Sequence, residues 1–160
     1  MQQEKQNKKN IFIIVISWAL VVACMGVIFW LSSRTADESN IQSSAILEWL
    51  IAHFGDNFFT SFIVRKLAHF SEYTGLCLLC CNALYQTSKR CTPYFGIIIA
   101  SIYAATDEFH QKFVQGRSCE FRDWAIDTCG ALLGALIFFV IFTIIKKIGK
   151  KKNKVDTQIN

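Results

Sequence analysis

Ile11 to Leu31 is a run of 21 residues without a charge, and it restricts the fold more than any other stretch. At about 1.5 Å per residue, a helix of that length crosses the ~30 Å hydrocarbon core of a bilayer. Lipid offers no partner to backbone N–H and C=O groups, so such a run predicts a helix. It is longer than a signal-peptide apolar region and no small-x-small cleavage site follows it, so it reads as an uncleaved first span.

Further apolar segments predict three more spans, at about 65–86, 93–113 and 121–145. Thr92-Pro93 is a helix-start signal, with Thr as N-cap and Pro in the first helical position. The predicted fold class is an all-α membrane protein with four transmembrane helices. Between the first and second spans lies an external segment, 32–64, in which Ile41, Leu47, Leu50, Ile51, Phe54, Phe58 and Phe62 recur at roughly helical spacing. It predicts one or two amphipathic helices, broken near Gly55-Asp56-Asn57. Residues 1–10 read as a disordered tail, 11–145 as the membrane domain and 146–160 as a basic tail.

The net charge of +5 is unevenly placed. Lys5, Lys8 and Lys9 precede the first span, Lys89 and Arg90 separate the second from the third, and Lys146, Lys147 and Lys150 follow the fourth. The positive-inside rule makes these regions, and both termini, cytoplasmic. A basic run directly after a span reads as a topology anchor that favours anionic lipid rather than as a nucleic-acid patch. Seven cysteines, an odd number mostly inside apolar segments, argue against a disulfide framework. Cys77, Cys80 and Cys81 share a helical face and read as small residues at a helix contact rather than as metal ligands.

Ionisable groups in spanning segments cost roughly 2.5–3.5 kcal/mol each, yet this chain carries many. Arg65, Lys66, His69, Glu72 and Tyr73 open the second span. Asp107, Glu108, His110 and Gln111 close the third. Arg117 precedes the fourth, whose first turns carry Asp123 and Asp127. Arg65, His69, Glu72 and Tyr73 form one helical stripe; Tyr103, Asp107 and His110 form another; Asp123, Asp127, Gly130 and Gly134 form a third. Counted from the predicted inner ends at ~1.5 Å per residue, these groups reach similar heights, roughly 21–27 Å. They predict one polar cavity in the outer third of the membrane. Gly130-x-x-x-Gly134 would let another helix approach closely beneath it.

Taken together, Arg65-Lys66-x-x-His69-Phe70-x-Glu72-Tyr73, Tyr103-Ala104-x-x-Asp107-Glu108-x-His110-Gln111, Gly116-Arg117 and Asp123-x-x-x-Asp127-x-x-Gly130 resemble the VanZ-like family. The resemblance covers about residues 27–134. It implies a small multi-span protein of the bacterial cytoplasmic membrane and a role in tolerance of the glycopeptide antibiotic teicoplanin. Family members carry a Pro before the Gly-Arg pair, where this chain has Gln115, a departure expected to alter only the stiffness of that turn.

Three uses of the polar cluster stay open at this point. Five positive charges (Arg65, Lys66, Lys112, Arg117, Arg122) face six negative ones (Glu72, Asp107, Glu108, Glu120, Asp123, Asp127), a balance suited to a self-neutralising lock. There Arg117 would pair with Asp123 or Asp127, and Arg65 with an acid of the third span. In the second reading the cluster binds an amphiphilic envelope molecule, a lipid, a lipid-linked precursor or a glycopeptide antibiotic. Arg65, Lys66, Tyr73, Gln111, Arg117, Asp123 and Asp127 then contact the ligand's head, and Phe54, Phe58, Phe59 and Phe62 its tail. In the third, His69, Glu72, Asp107, Glu108 and His110 act as acid/base residues of a membrane-embedded enzyme on a lipid-linked substrate. Neither His-acid spacing is a strong metal signature, and the sequence calls for no cofactor. Its oligomeric state stays open.

Overall fold

The computed structural model describes residues 2–54 and 60–159. Among them are five helices and no strand: α1 (Gln2–Ser32), α2 (Ala36–Phe54), α3 (Ser61–Ser88), α4 (Pro93–Gln111) and α5 (Phe121–Ile159). The expected break at Gly55-Asp56-Asn57, with Phe58, Phe59 and the side chain of Phe54, lies outside the described residues.

Helix boundaries follow local chemistry. Thr35 and Glu38 form a reciprocal capping box at the start of α2: the Glu38 N–H donates to Thr35 Oγ1 at 3.3 Å, and the Thr35 N–H donates to Glu38 Oε2 at 3.2 Å. The Thr60 hydroxyl caps α3 by accepting from the Ile63 N–H at 3.3 Å. Lys89 ends α3 in the left-handed region, φ 55°, with its N–H bonded to the Tyr85 carbonyl. Pro93 opens α4 as expected, but the Thr92 side chain makes no cap bond. Its carbonyl receives the Phe95 N–H instead, at 3.2 Å. Residues 2–10, expected to be disordered, continue α1 as helix, and residues 146–159 of the basic tail continue α5. Neither stretch contains a Pro, and Gln6 bonds Asn10 across one turn at 3.3 Å.

α3 is the central helix. It runs parallel to α5, since Lys66 pairs with Asp123, Phe70 faces Gly130 and Tyr85 meets Phe142. α1 and α4 run the other way: Trp18 Nε1 donates to Thr87 Oγ1 at 3.1 Å, and the Tyr103 hydroxyl donates to the Met25 carbonyl at 2.7 Å. The start of α1, the α3–α4 turn and the latter half of α5 therefore gather at one end. We call it the lysine end, after Lys89, Lys146, Lys147 and Lys150. The opposite end carries α2 and the 112–120 loop.

Gly130 and Gly134 set the α3–α5 spacing. A methyl group on either would run into the carbonyl of Phe70 or Thr74. Thr74 Oγ1 donates to the Gly130 carbonyl at 2.9 Å across the same contact. Cys77, Cys80 and Cys81 are buried at helix contacts, and a methyl on Gly96 of α4 would meet Cys81 Sγ.

The outside of the bundle is apolar. Phe12, Val22, Val27, Phe29 and Trp30 on α1, and Leu132, Leu136, Phe139 and Ile144 on α5, are exposed. A surface of that kind suits lipid rather than water. Two segments, Lys9–Ser32 and Phe121–Lys150, are long and apolar enough to cross a membrane. α3 and α4, expected as spans, do not reach that apolar content, because α3 carries Arg65, Lys66, Glu72, Asn82 and Gln86, and α4 carries Asp107 and Glu108. α2 turns Ser39 and Ser43 inward, half-buries Leu47, Leu50 and Ile51 of the apolar stripe, and leaves Ile41 and Trp49 exposed.

Candidate functional site

The end opposite the lysines holds two adjoining cavities, of about 190 and 70 Å³. Both are lined by Arg65, His69 and Arg117. The larger lies between α2 and α3, with Glu72, Ser39, Gln42, Ser43, Leu31, Ile46 and Val64 also around it. One wall thus offers hydroxyl and amide groups and another offers hydrocarbon. The smaller adds Lys66, Gln111, Ser118, Glu120 and Asp123.

Each side chain is placed by a definite local device. Arg65, His69 and Glu72 come from successive turns of α3. Arg117 comes from the 112–120 loop, which is shaped by Gly116 at φ 75°. A side chain at Gly116 would be strained at that φ and would press on Ala36 Cβ. The loop is tied to α2 by the Ala36 N–H, which donates to the Gln115 carbonyl at 3.2 Å. A proline at 115 would keep that carbonyl, so Gln115 leaves the tie intact. Glu108 Oε2 accepts from the Glu120 N–H at 3.0 Å and holds the other side of the loop.

The charges pair differently from the lock read in the sequence. Lys66 Nζ, not Arg117, takes Asp123 Oδ2. Lys66 stands on α3 beside α5 and reaches Asp123 directly, whereas Arg117 sits in a loop above both helices. Arg122 lies 3.3 Å from Glu120 and 4.0 Å from Asp123. Lys66 and Arg122 both stack on the Phe62 ring, at 5.2 and 5.4 Å from its centroid. Among the described residues Arg65 and Arg117 form no ion pair, and buried Arg117 Nε has no hydrogen-bond partner. Burial, then the neighbouring Arg65 charge, push the Arg117 guanidinium below its ordinary pKa. An arginine still stays cationic. Two guanidinium groups therefore face a small cavity with spare donors, an arrangement that recognises phosphate or carboxylate oxygens.

Beneath the cavities lie Tyr73, Asp107 and Asp127, buried like Gln111 of the smaller cavity's wall. Gln111 Nε2 donates to Asp107 Oδ2 at 3.1 Å. Tyr73 OH, Ser32 Oγ, Asp107 Oδ1 and both Asp127 oxygens have no partner. Tyr73, Asp107, Glu108 and Asp127 line neither cavity. His110 faces α1 instead: its Nε2 is 3.2 Å from Ser33 Oγ and its ring centroid 4.5 Å from that of Phe29. His69 Nδ1 stands 3.9 Å from Glu72 Oε2. The five candidate acid/base residues therefore split into a His69–Glu72 pair on the cavity wall and three residues elsewhere. Among the described residues no three His, Cys, Asp or Glu side chains converge as metal ligands.

Ser39, Gln42 and Ser43 of α2 are cavity residues that an apolar reading of 32–64 passes over. Their i, i+3, i+4 spacing was the available signal.

Asp127, 1% exposed with both oxygens unbonded, gives no lock to break. Asp127→Asn is expected to leave thermal stability in detergent unchanged or to raise it by about 1–2 kcal/mol, because an amide costs less to bury than a carboxylate. A fall of similar size would show that Asp127 holds the helices together.

A family model described as VanZ/LLP1 matches residues 17–143. No curated protein and no solved structure matches the chain. With the two apolar helices, the match identifies a membrane protein of the cell envelope, and the chain belongs to the VanZ/LLP1 family.

Proposed function

We propose that this protein spans the bacterial cytoplasmic membrane four times, with both termini inside, and that its crevice binds the anionic head of an amphiphilic envelope molecule. The ligand is a lipid, a lipid-linked wall precursor or a lipoglycopeptide such as teicoplanin. One observation carries the binding reading: Arg65 and Arg117 converge on a cavity walled by hydroxyls on one side and hydrocarbon on the other. At about 190 Å³ it is smaller than the ~300–1,000 Å³ of sites that enclose a whole ligand. It takes a phosphate or carboxylate with its nearest atoms, while the rest of the amphiphile stays along α2 and the bilayer. The gathering of Lys89, Lys146, Lys147 and Lys150 at the far end supports a crevice facing outward.

Arg117→Ala is expected to weaken head-group binding about tenfold to a hundredfold, the worth of a charge-assisted hydrogen bond. Teicoplanin and vancomycin susceptibility of cells carrying Arg117→Ala, Arg65→Ala or the parent, at matched membrane levels, checks it. Equal susceptibility with and without the parent protein removes the antibiotic as ligand. Comparing membrane lipids and wall precursors by mass in the same strains separates binding from catalysis: a product that disappears with His69→Ala would make the crevice an active site.

Topology has its own test. In variants that keep a single cysteine, a membrane-impermeant maleimide is expected to label exposed Cys119 in intact cells, and Cys91 only after permeabilisation. Labelling of both from outside would refute the four-span arrangement.

A further inference from the structure

At the lysine end, α3 and α5 border a second concavity of about 680 Å³. The cause is visible in the helix contact. Gly130 and Gly134 hold the two backbones together near Phe70 and Thr74. Further along, Tyr85 and Phe142 meet edge to face at 5.2 Å, and larger side chains stand where the glycines stood. The concavity is apolar at its deep end, by Leu78 and Phe138, and cationic at its mouth, by Lys89 and Lys146.

The mouth is built rather than incidental. Each lysine lies over one ring of the aromatic pair, Lys89 Nζ 5.8 Å from the Tyr85 centroid and Lys146 Nζ 5.9 Å from that of Phe142. A polar ladder climbs the α3 wall. Asn82 Nδ2 donates to Ser17 Oγ at 3.4 Å, Gln86 Nε2 to Asn82 Oδ1 at 3.5 Å and Lys89 Nζ to Gln86 Oε1 at 2.9 Å. An ammonium has three N–H donors, so Lys89 keeps two for a ligand. Among the described residues neither lysine meets a carboxylate.

We infer that this groove binds one anionic glycerophospholipid of the adjacent leaflet, its phosphate between Lys89 and Lys146 and one acyl chain along Leu78 and Phe138. Charge decides against the alternatives. A second copy of the chain would bring its own Lys89, Arg90, Lys146 and Lys147 against the same cations. A zwitterionic lipid would set its own ammonium beside them. The site is independent of the crevice at the other end and needs only that the chain lie in a bilayer. The lipid would bridge α3 and α5 beyond the glycine contact.

The test is native mass spectrometry of the full chain in detergent with phosphatidylglycerol or phosphatidylcholine added. One phosphatidylglycerol is expected to stay bound to the wild type at concentrations where phosphatidylcholine does not. The double variant Lys89→Gln/Lys146→Gln is expected to bind phosphatidylglycerol about twenty-five-fold more weakly, each lysine contributing roughly fivefold. Lys147→Gln/Lys150→Gln removes the same charge outside the groove and is expected to bind as the wild type does. Equal retention of both lipids, an equal loss in the two double variants, or a lipid-free dimer as the main species would each overturn the assignment. Thermal unfolding in lipid-free detergent is expected to be the same for all three proteins, which separates loss of binding from loss of fold.

Discussion

Gly130→Ala is expected to cost about 3 kcal/mol or more and to remove most folded protein from the membrane. Inserting one methylene-sized group into a packed contact commonly costs 1–3 kcal/mol, and flexible neighbours absorb part of that. Here the neighbour is backbone. A Cβ at 130 would strike the Phe70 carbonyl, with Phe70 Cα 3.3 Å away, and no rotamer change relieves it. Separating the helices would also break the bond from Thr74 Oγ1 to the Gly130 carbonyl. Gly134→Ala meets the Thr74 carbonyl and Cys77 Cβ, the latter at 3.1 Å, and should behave alike. Gly75 supplies the control. It is on α3, nothing lies within 4 Å of a Cβ built there, and Gly75→Ala is expected to stabilise by up to about 1 kcal/mol through helix propensity. Thermal unfolding of the three purified variants in one detergent decides the matter. A Gly130→Ala protein that melts with the wild type would mean that α3 and α5 do not pack through these glycines.

The second large effect belongs to the ion pair between Lys66 and Asp123. Their side chains are only 13% and 18% exposed. Breaking such a pair from one side strands the other charge, at a cost of about 3 kcal/mol. Asp123→Leu leaves Lys66 with Arg65, Arg117 and Arg122 nearby, so repulsion adds to the loss. Lys66→Met leaves Asp123 with Arg122 at 4.0 Å and should cost less. Changing both residues together is expected to cost less than Asp123→Leu alone, because no stranded cation remains. The cycle is read as thermal stability in detergent, with exposed Glu48→Ala as the reference for an unimportant charge. If Asp123→Leu matched Glu48→Ala, the pair would be a surface contact with no role in holding α3 to α5.

Local pattern carried the helices and their stripes. Arg65, His69 and Glu72 occupy successive turns at helical spacing, and α3 turns all three toward one crevice, because side chains three or four residues apart on a helix share a face whatever surrounds it. Gly130-x-x-x-Gly134, a weak signal alone, marks the closest approach of α3 and α5. In α2 the apolar stripe divides: Leu47, Leu50 and Ile51 are half-buried while Ile41 is exposed, and Ser39 and Ser43 are the buried residues because α2 borders the polar cavity.

The chain by itself determined that it is helical, that it has an apolar exterior and that its ionisable residues cluster near helix ends. Those properties follow from hydropathy and from spacing along one helix. Only the tertiary structure decided which charges meet. Asp123 goes to Lys66 rather than to Arg117, His110 turns to Phe29 of α1 and to Ser33 just after it rather than to His69, and Asp127 stays without a partner. The physical reason is that a stripe fixes a direction only relative to its own helix axis. How far each helix is rotated and shifted against its neighbours depends on contacts such as Gly130 with Phe70, Ala36 with Gln115 and Glu108 with Glu120, which join residues far apart in the chain.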